Sequence, residues 1–195
     1  MEIDPLDLFK IIRESVYNVI LDRIKSPIFP QEYPVVYYEQ QERQSEQPTH
    51  IVVLKYPKKI IPYNHDGEIR NLGVPRLLFG YKIANSYVYH YVVAVKDEVI
   101  KKSTTVYHYP YTNVDARGGI CTGGVVFKKI ENPHEDLSEL SYFPTAWLFS
   151  THTHENNGTG QPAKPIMDKN ENQQFNNDLL VPMCTFEEWI TKMAR

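Results

Sequence analysis

Apolar residues recur at three- and four-residue steps through the first part of the chain, at Leu8, Ile12, Val16, Val19, Ile20 and Ile24. That spacing puts them on one face of an α-helix. Asp4 followed by Pro5 supplies a start signal and Pro27 a stop, so the pattern predicts an amphipathic N-terminal helix. From Glu32 the period falls to two. Tyr33, Val35 and Tyr37 alternate with Pro34, Val36 and Tyr38, a Gln/Glu-rich connection spans Glu39 to Gln47, and a second strand-like run takes in His50 to Tyr56. Asp66-Gly67 and Asn85-Ser86 are turn dipeptides, and Lys96-Asp97-Glu98 separates the run Tyr87 to Val95 from the run Val99 to Tyr107. Short turns between successive strands predict an antiparallel meander. Tyr87, Tyr89 and Tyr91 share one face of their strand and are expected in sheet packing.

Beyond Tyr109 the pattern breaks. Pro110, Asn113, Gly118, Gly119, Gly123 and Gly124 gather around Cys121, and an apolar stretch follows from Val125 to Ile130. Tyr142 to Phe149 reads as a short helix, followed by Thr151-His152-Thr153-His154. Glu155 to Asp178 is rich in Asn, Gln and Gly with almost no apolar period, the texture of an exposed, mobile loop. At the end, Thr185 with Glu188 forms a capping box, and Phe186, Trp189, Ile190 and Met193 lie on one helical face. Cys184 precedes that cap and reads as a packed apolar thiol. The organisation expected is a main domain over 1–155, a polar, mobile loop over 156–178, and a C-terminal segment over 179–195 with a short docking helix.

Composition narrows the function classes. A chain of 195 residues that is 42% hydrophobic and 23% charged is sized for one soluble α+β domain. Its 14 tyrosines, set among β-branched residues, favour a sheet-rich middle. A net charge of −3 argues against nucleic-acid binding by bulk charge. No apolar run approaches the roughly 20 residues needed to cross a bilayer, and the acidic opening does not resemble a signal peptide. With only two cysteines there is no disulfide framework, so the expected place is the cytoplasm, with reduced thiols.

Cys121 is the candidate for chemistry, because glycines on both sides strip the neighbouring chain of side chains and open the sulfur to a bulky reactant. Gly119-Ile120-Cys121-Thr122-Gly123 also has the form of a nucleophile elbow, which would suit a cysteine hydrolase. That elbow needs a strand before it and a helix after it, whereas Asp115-Ala116-Arg117-Gly118 precedes and Val125-Val126-Phe127 follows. A zinc site using His152, His154 and either His108 or His134 has suitable residue types without a recognised spacing, and no metal is assigned.

Tyr109-Pro110-Tyr111-Thr112-Asn113-Val114, followed by Gly118-Gly119-Ile120-Cys121, resembles the active-site stretch of ubiquitin-conjugating enzymes, in which an Asn stands eight residues before the catalytic Cys. Together with Pro75-Arg76-Leu77-Leu78-Phe79-Gly80, Tyr107-His108-Tyr109-Pro110 and Phe149-Ser150-Thr151-His152-Thr153-His154, it is similar to prokaryotic family D of that superfamily, the group that includes protein B of the plasmid PRTRC system. The resemblance implies an N-terminal helix on an antiparallel β-meander, an active-site loop and C-terminal helices. It also implies a thioester relay without a cofactor. Cys121 would be the nucleophile, Asn113 the oxyanion donor and His152 a base or acceptor-orienting group, with Tyr109, Gly119, Thr122 and His154 contacting substrate. Tyr109 stands where the family has a His, and a Tyr-Thr pair intervenes before Asn113. The partners implied are a ubiquitin-like modifier, an activating enzyme and a deubiquitinase-like metalloprotease of the same system. A catalytically silent binding or scaffold protein of a plasmid or defence system, built on the same fold, is the alternative.

Overall fold

The computed structural model describes residues 27–43, 46–127 and 129–194, so the predicted N-terminal helix lies outside the described residues. Strands β1 (Val35–Arg43), β2 (Glu46–Tyr56), β5 (Arg76–Ala84), β6 (Tyr87–Val95), β7 (Thr105–Tyr107) and β9 (Pro182–Thr185) form one six-stranded sheet in the order β1-β2-β5-β6-β7-β9. Every pairing in it is antiparallel. Strands β3 (Lys59–His65) and β4 (Glu68–Val74) leave the meander as a hairpin, and β8 (Thr151–His152) adds to β3 in parallel. Among the described residues three short α-helices complete the fold: α1 (Tyr142–Leu148), α2 (Lys164–Lys169) and α3 (Phe186–Ala194). None of these is long or apolar enough to cross a membrane.

The turn dipeptides act as predicted. Asp66 and Gly67 take φ of 51° and 88°, and Asn85 and Ser86 take 50° and 66°, the left-handed pair that matches the twist of a tight hairpin. Two expectations change. The connection from Glu39 to Gln47 is largely strand, with Gln41 opposite Thr49 and Arg43 opposite Glu46, because ladder bonds are made by backbone whatever the polarity of the side chains. The run Val99 to Tyr107 is strand only from Thr105. Its first half turns instead, the Thr104 N–H donating to the Lys101 carbonyl at 3.0 Å. Arg76 gathers this corner, donating to the carbonyls of Lys96 and Asp97 and pairing with Glu98.

The centre of the main sheet, β2 and β5, is buried on both faces, which explains why these two strands read as nearly continuous apolar runs. Alternate residues go to opposite layers. Val52, Leu54, Leu77, Phe79 and Val92 face a core shared with the small sheet, α1 and the loops around it. Ile51, Val53, Leu78 and Val93 face Phe186, Trp189, Ile190 and Met193 of α3. The helix is started as its sequence predicts: the Thr185 N–H donates to Glu188 Oε2 at 2.9 Å, and the Glu188 N–H donates back to Thr185 Oγ1 at 3.3 Å. Those bonds favour the ionised carboxylate and hold the Glu188 carboxyl below its ordinary pKa.

The stretch 156–178, expected as a polar, mobile loop, carries α2 and is fastened to β4. Ala163, Met167 and Phe175 are buried. Arg70 pairs with Asp168 at 2.8 Å and Glu171 at 2.7 Å, and the Gly73 N–H donates to the Asn170 carbonyl at 2.9 Å. Gly73 permits this approach, since a Cβ there would stand 2.3 Å from the Gln173 carbonyl oxygen.

Candidate functional site

After β7 the chain makes a narrow irregular hairpin whose two legs carry Asn113 and Cys121. The Asp115 N–H donates to the Gly119 carbonyl at 2.9 Å and the Cys121 N–H to the Asn113 carbonyl at 2.8 Å. Its return leg extends the sheet beside β6, with the Val92 N–H on the Gly118 carbonyl at 2.8 Å and the Ile120 N–H on the His90 carbonyl at 2.9 Å. Asp115 nucleates the tip: Oδ1 accepts from the N–H groups of Arg117 (2.7 Å) and Gly119 (2.8 Å). Gly118, at φ +87°, supplies the left-handed residue that the tip requires.

Cys121 is exposed at the end of this return leg. It lines a cavity of about 830 Å³ with Asn113, Asp115, Tyr89, Tyr91 and His154; Gly119 and Thr122 also reach it. Its carbonyl is fixed from behind by the Trp147 indole, which donates at 3.1 Å. The other thiol differs. Cys184 is half-buried beneath α3, and burial pushes its pKa up.

Asn113 is buried at φ 65°, a conformation that Asn tolerates better than most residues. Its Oδ1 accepts the N–H groups of Thr153 (3.1 Å) and His154 (3.3 Å). Two donors facing one end of the amide fix which end is oxygen. The NH2 group is therefore what this side chain can offer to a reacting group in the cavity. The Cys121 N–H, by contrast, is already taken by the Asn113 carbonyl.

Two of the residues expected here are elsewhere. His152 is wholly buried and reaches neither the cavity nor solvent. It stacks on Tyr63 with ring centroids 4.4 Å apart, and its Nε2–H donates to the Trp147 carbonyl at 3.2 Å. Burial pushes its pKa down to about 4, so it is a neutral core histidine and no base for an incoming group. Tyr109 is also buried, packed against Tyr111 and Trp147 at 5.8 and 5.4 Å, and cannot touch a substrate. The order of packing explains both: β8 draws His152 inward against β3, and the aromatic cluster closes over it.

Among the described residues no group of three His, Cys, Asp or Glu side chains could hold a metal ion.

Sequence reasoning missed Asp115, Trp147 and Lys192. An Asp two residues before Arg117 and four before Gly119 is a recognisable turn signal. Trp147 and Lys192 come to the site only through tertiary packing. Of the tyrosines expected in sheet packing, Tyr91 packs against the core beneath α3 whereas Tyr87 and Tyr89 are exposed, and Tyr89 and Tyr91 form part of the cavity wall.

A family model described as Prokaryotic E2 family D matches residues 32–188, a span that contains the nine strands β1 to β9 of the described residues and the whole cavity hairpin. No curated protein and no solved structure matches the chain.

Proposed function

Because the chain belongs to prokaryotic E2 family D, we propose that it is a conjugating enzyme that carries a ubiquitin-like protein as a thioester on Cys121 and passes it to an acceptor. The observation that carries this reading is the pairing of Cys121 and Asn113 across one hairpin, with the thiol open and both residues lining the same cavity. In the first transfer the Cys121 thiolate attacks the thioester formed on an activating enzyme, and that enzyme's thiolate leaves. In the second an acceptor amine attacks the Cys121 thioester, an amide forms and the Cys121 thiolate leaves. Each passes through a tetrahedral oxyanion. A donor from the Asn113 NH2 would lower the barrier by about 3 kcal/mol, the scale of a side-chain donor in oxyanion holes of this kind. A thioester is already activated, which is compatible with the burial of His152.

The partners in this reading are a ubiquitin-like modifier and an activating enzyme, with a deubiquitinase-like metalloprotease acting in the same plasmid or defence system. The alternative is a silent member that binds the modifier without chemistry, favoured by Tyr109 at the position of the family's His. Incubation with ATP, a cognate activating enzyme and the ubiquitin-like protein distinguishes them. The expected product is an adduct that a reducing thiol removes and that Cys121→Ser converts to a thiol-resistant ester or abolishes. Binding without any labile adduct, while the activating enzyme is itself charged, would establish the silent member.

A further inference from the structure

Resting on the thioester reading of Cys121, we propose that the C-terminal peptide of the acyl donor binds as an added β-strand on the edge of β6, parallel to it. Four consecutive residues of β6, Val88, Tyr89, His90 and Tyr91, line the Cys121 cavity. Successive side chains of a strand point to opposite faces, and His90 is buried in the core, so what the four present in common is the edge of the strand. That edge is closed on either side of the cavity. The return leg of the hairpin occupies it as far as His90, whose carbonyl takes the Ile120 N–H at 2.9 Å. The chain rejoins it at Ile130, whose N–H donates to the Ser86 carbonyl at 3.2 Å. In between it leaves the sheet at Cys121 and turns, the Val125 N–H donating to the Thr122 carbonyl at 3.0 Å, with open space around Gly123 and Gly124.

In an antiparallel ladder a residue turns its N–H and C=O to the same neighbour, and alternate residues serve opposite neighbours. The Val92 N–H and the His90 carbonyl serve the return leg, so the even-numbered residues of β6 face this edge and the odd-numbered ones face β5. The Val88 N–H, the Val88 carbonyl and the His90 N–H are thereby left on the edge, with no backbone partner among the described residues. An edge with unpaired groups is a template for another strand. A peptide whose carboxyl end reaches Cys121 must run from the Ser86 end toward His90, which is the direction of β6 itself. Parallel pairing uses all three groups. One donor residue, opposite Tyr89, gives its N–H to the Val88 carbonyl and takes the His90 N–H on its own carbonyl, and the residue two before it takes the Val88 N–H. Cys121 adjoins Ile120, so its Cα lies about 3.8 Å from that of a residue already bonded to the same edge. Main-chain pairing supplies affinity whatever the side chains, so the substrate class is an extended tail with one essential amide N–H near its end.

The test uses the full chain and the mercaptoethanesulfonate thioester of an acetylated hexapeptide, five alanines ending in glycine. The Cys121 thiolate attacks the thioester carbonyl, the new C–S bond forms and mercaptoethanesulfonate leaves as its thiolate. Charging of Cys121 is followed by mass, and each rate is divided by that of the same thioester with glutathione, which removes differences in intrinsic reactivity. The hexapeptide should charge Cys121 at least tenfold faster than the acetylglycine thioester, which is too short to pair. Six analogues, each methylated at one amide nitrogen, should show a single intolerant position within the last three residues, slowed at least tenfold, while methylation of either neighbouring amide stays within threefold. Val88→Pro removes an edge donor and none of the bonds to β5, and should slow charging by the hexapeptide at least threefold. Equal charging by the long and short donors overturns the proposal and leaves the thioester reading standing. So does a scan with no intolerant amide or with adjacent ones, or an unchanged rate in folded Val88→Pro; if that variant does not fold, the scan on the wild-type chain decides. Failure of Cys121 to charge with any donor sinks the thioester reading and this inference with it.

Discussion

Replacing Asn113 separates the two tasks that the proposed function gives it, because its Oδ1 serves the fold and leaves the NH2 for the proposed oxyanion. Asn113→Ala removes the acceptor for the Thr153 and His154 N–H groups, each bond being worth about 1 kcal/mol net. It also places an Ala at φ 65°, at a further cost of about 1 kcal/mol relative to Asn. The expected loss is about 2–3 kcal/mol, or about 5–10 °C in Tm for a chain of this length. Asn113→Asp keeps the accepting oxygen and the tolerance of left-handed backbone but deletes the NH2 donor. It should therefore unfold within about 1 kcal/mol of wild type while discharge of the Cys121 thioester slows by about 100-fold, the effect of removing one oxyanion donor. The assays are urea unfolding and single-turnover discharge to hydroxylamine of a glycylglycine acyl group carried as a thioester on Cys121. Wild-type discharge in Asn113→Asp would refute the oxyanion role and leave Asn113 a turn residue. Equal stability of the Ala and Asp variants would refute the division of tasks itself.

Iodoacetamide should label Cys121 at least tenfold faster than Cys184, because one thiol is open and the other is half-buried with a raised pKa; equal rates by peptide mapping would contradict this. Gly73→Ala should cost about 3 kcal/mol or more, since its Cβ would meet the backbone of Gln173 and Phe175 at 2.3 and 2.5 Å. Gly124→Ala, with open space at its Cβ, should stay within about 0.5 kcal/mol of wild type, and similar unfolding of the two would sink the packing account of 173–175. His90 and His152 both have pKa values pushed down to about 4 by burial, against about 6.5 unfolded. Between those values the unfolded chain binds more protons, so stability is complete above about pH 6.5 and falls as pH is lowered toward 4, by up to about 3 kcal/mol for each. His90→Phe should make the measured dependence of unfolding free energy on pH shallower by about one proton over that window, and an unchanged slope would contradict a neutral His90.

What the sequence made legible was local. The capping box at Thr185 and Glu188, the turns at Asp66-Gly67 and Asn85-Ser86, and helix α1 are decided by residues within a few positions of one another. The eight-residue separation of Asn113 and Cys121 was legible for a structural reason too, since it is the register that lets the Cys121 N–H meet the Asn113 carbonyl. The burial of His152 was not. Thr151-His152-Thr153-His154 looks uniformly polar, and only pairing with β3, 87 residues earlier, sends His152 inward while His154 stays exposed. Residues 156–178 misled in the same way, because few apolar residues suffice to anchor a segment when Arg70 and Gly73 of a distant strand receive it.

Tyr109 tests how the site is held together without the family's His. Its ring braces Trp147, whose indole fixes the Cys121 carbonyl, while Asn113 is oriented independently by the backbone of residues 153 and 154. The ring should therefore matter and the hydroxyl should not, since the hydroxyl lies near Tyr63 without a bond of good geometry. Tyr109→Phe keeps the brace and removes a buried polar group that gains little in the fold, so stability should be unchanged or raised by up to about 1 kcal/mol. Discharge of the Cys121 thioester should stay within twofold of wild type. Tyr109→Ala should instead cost about 3–5 kcal/mol, through the cavity left beside Trp147. A tenfold loss of discharge in Tyr109→Phe, with unchanged unfolding, would mean that the hydroxyl takes part in the reaction and that the aromatic cluster opens during turnover.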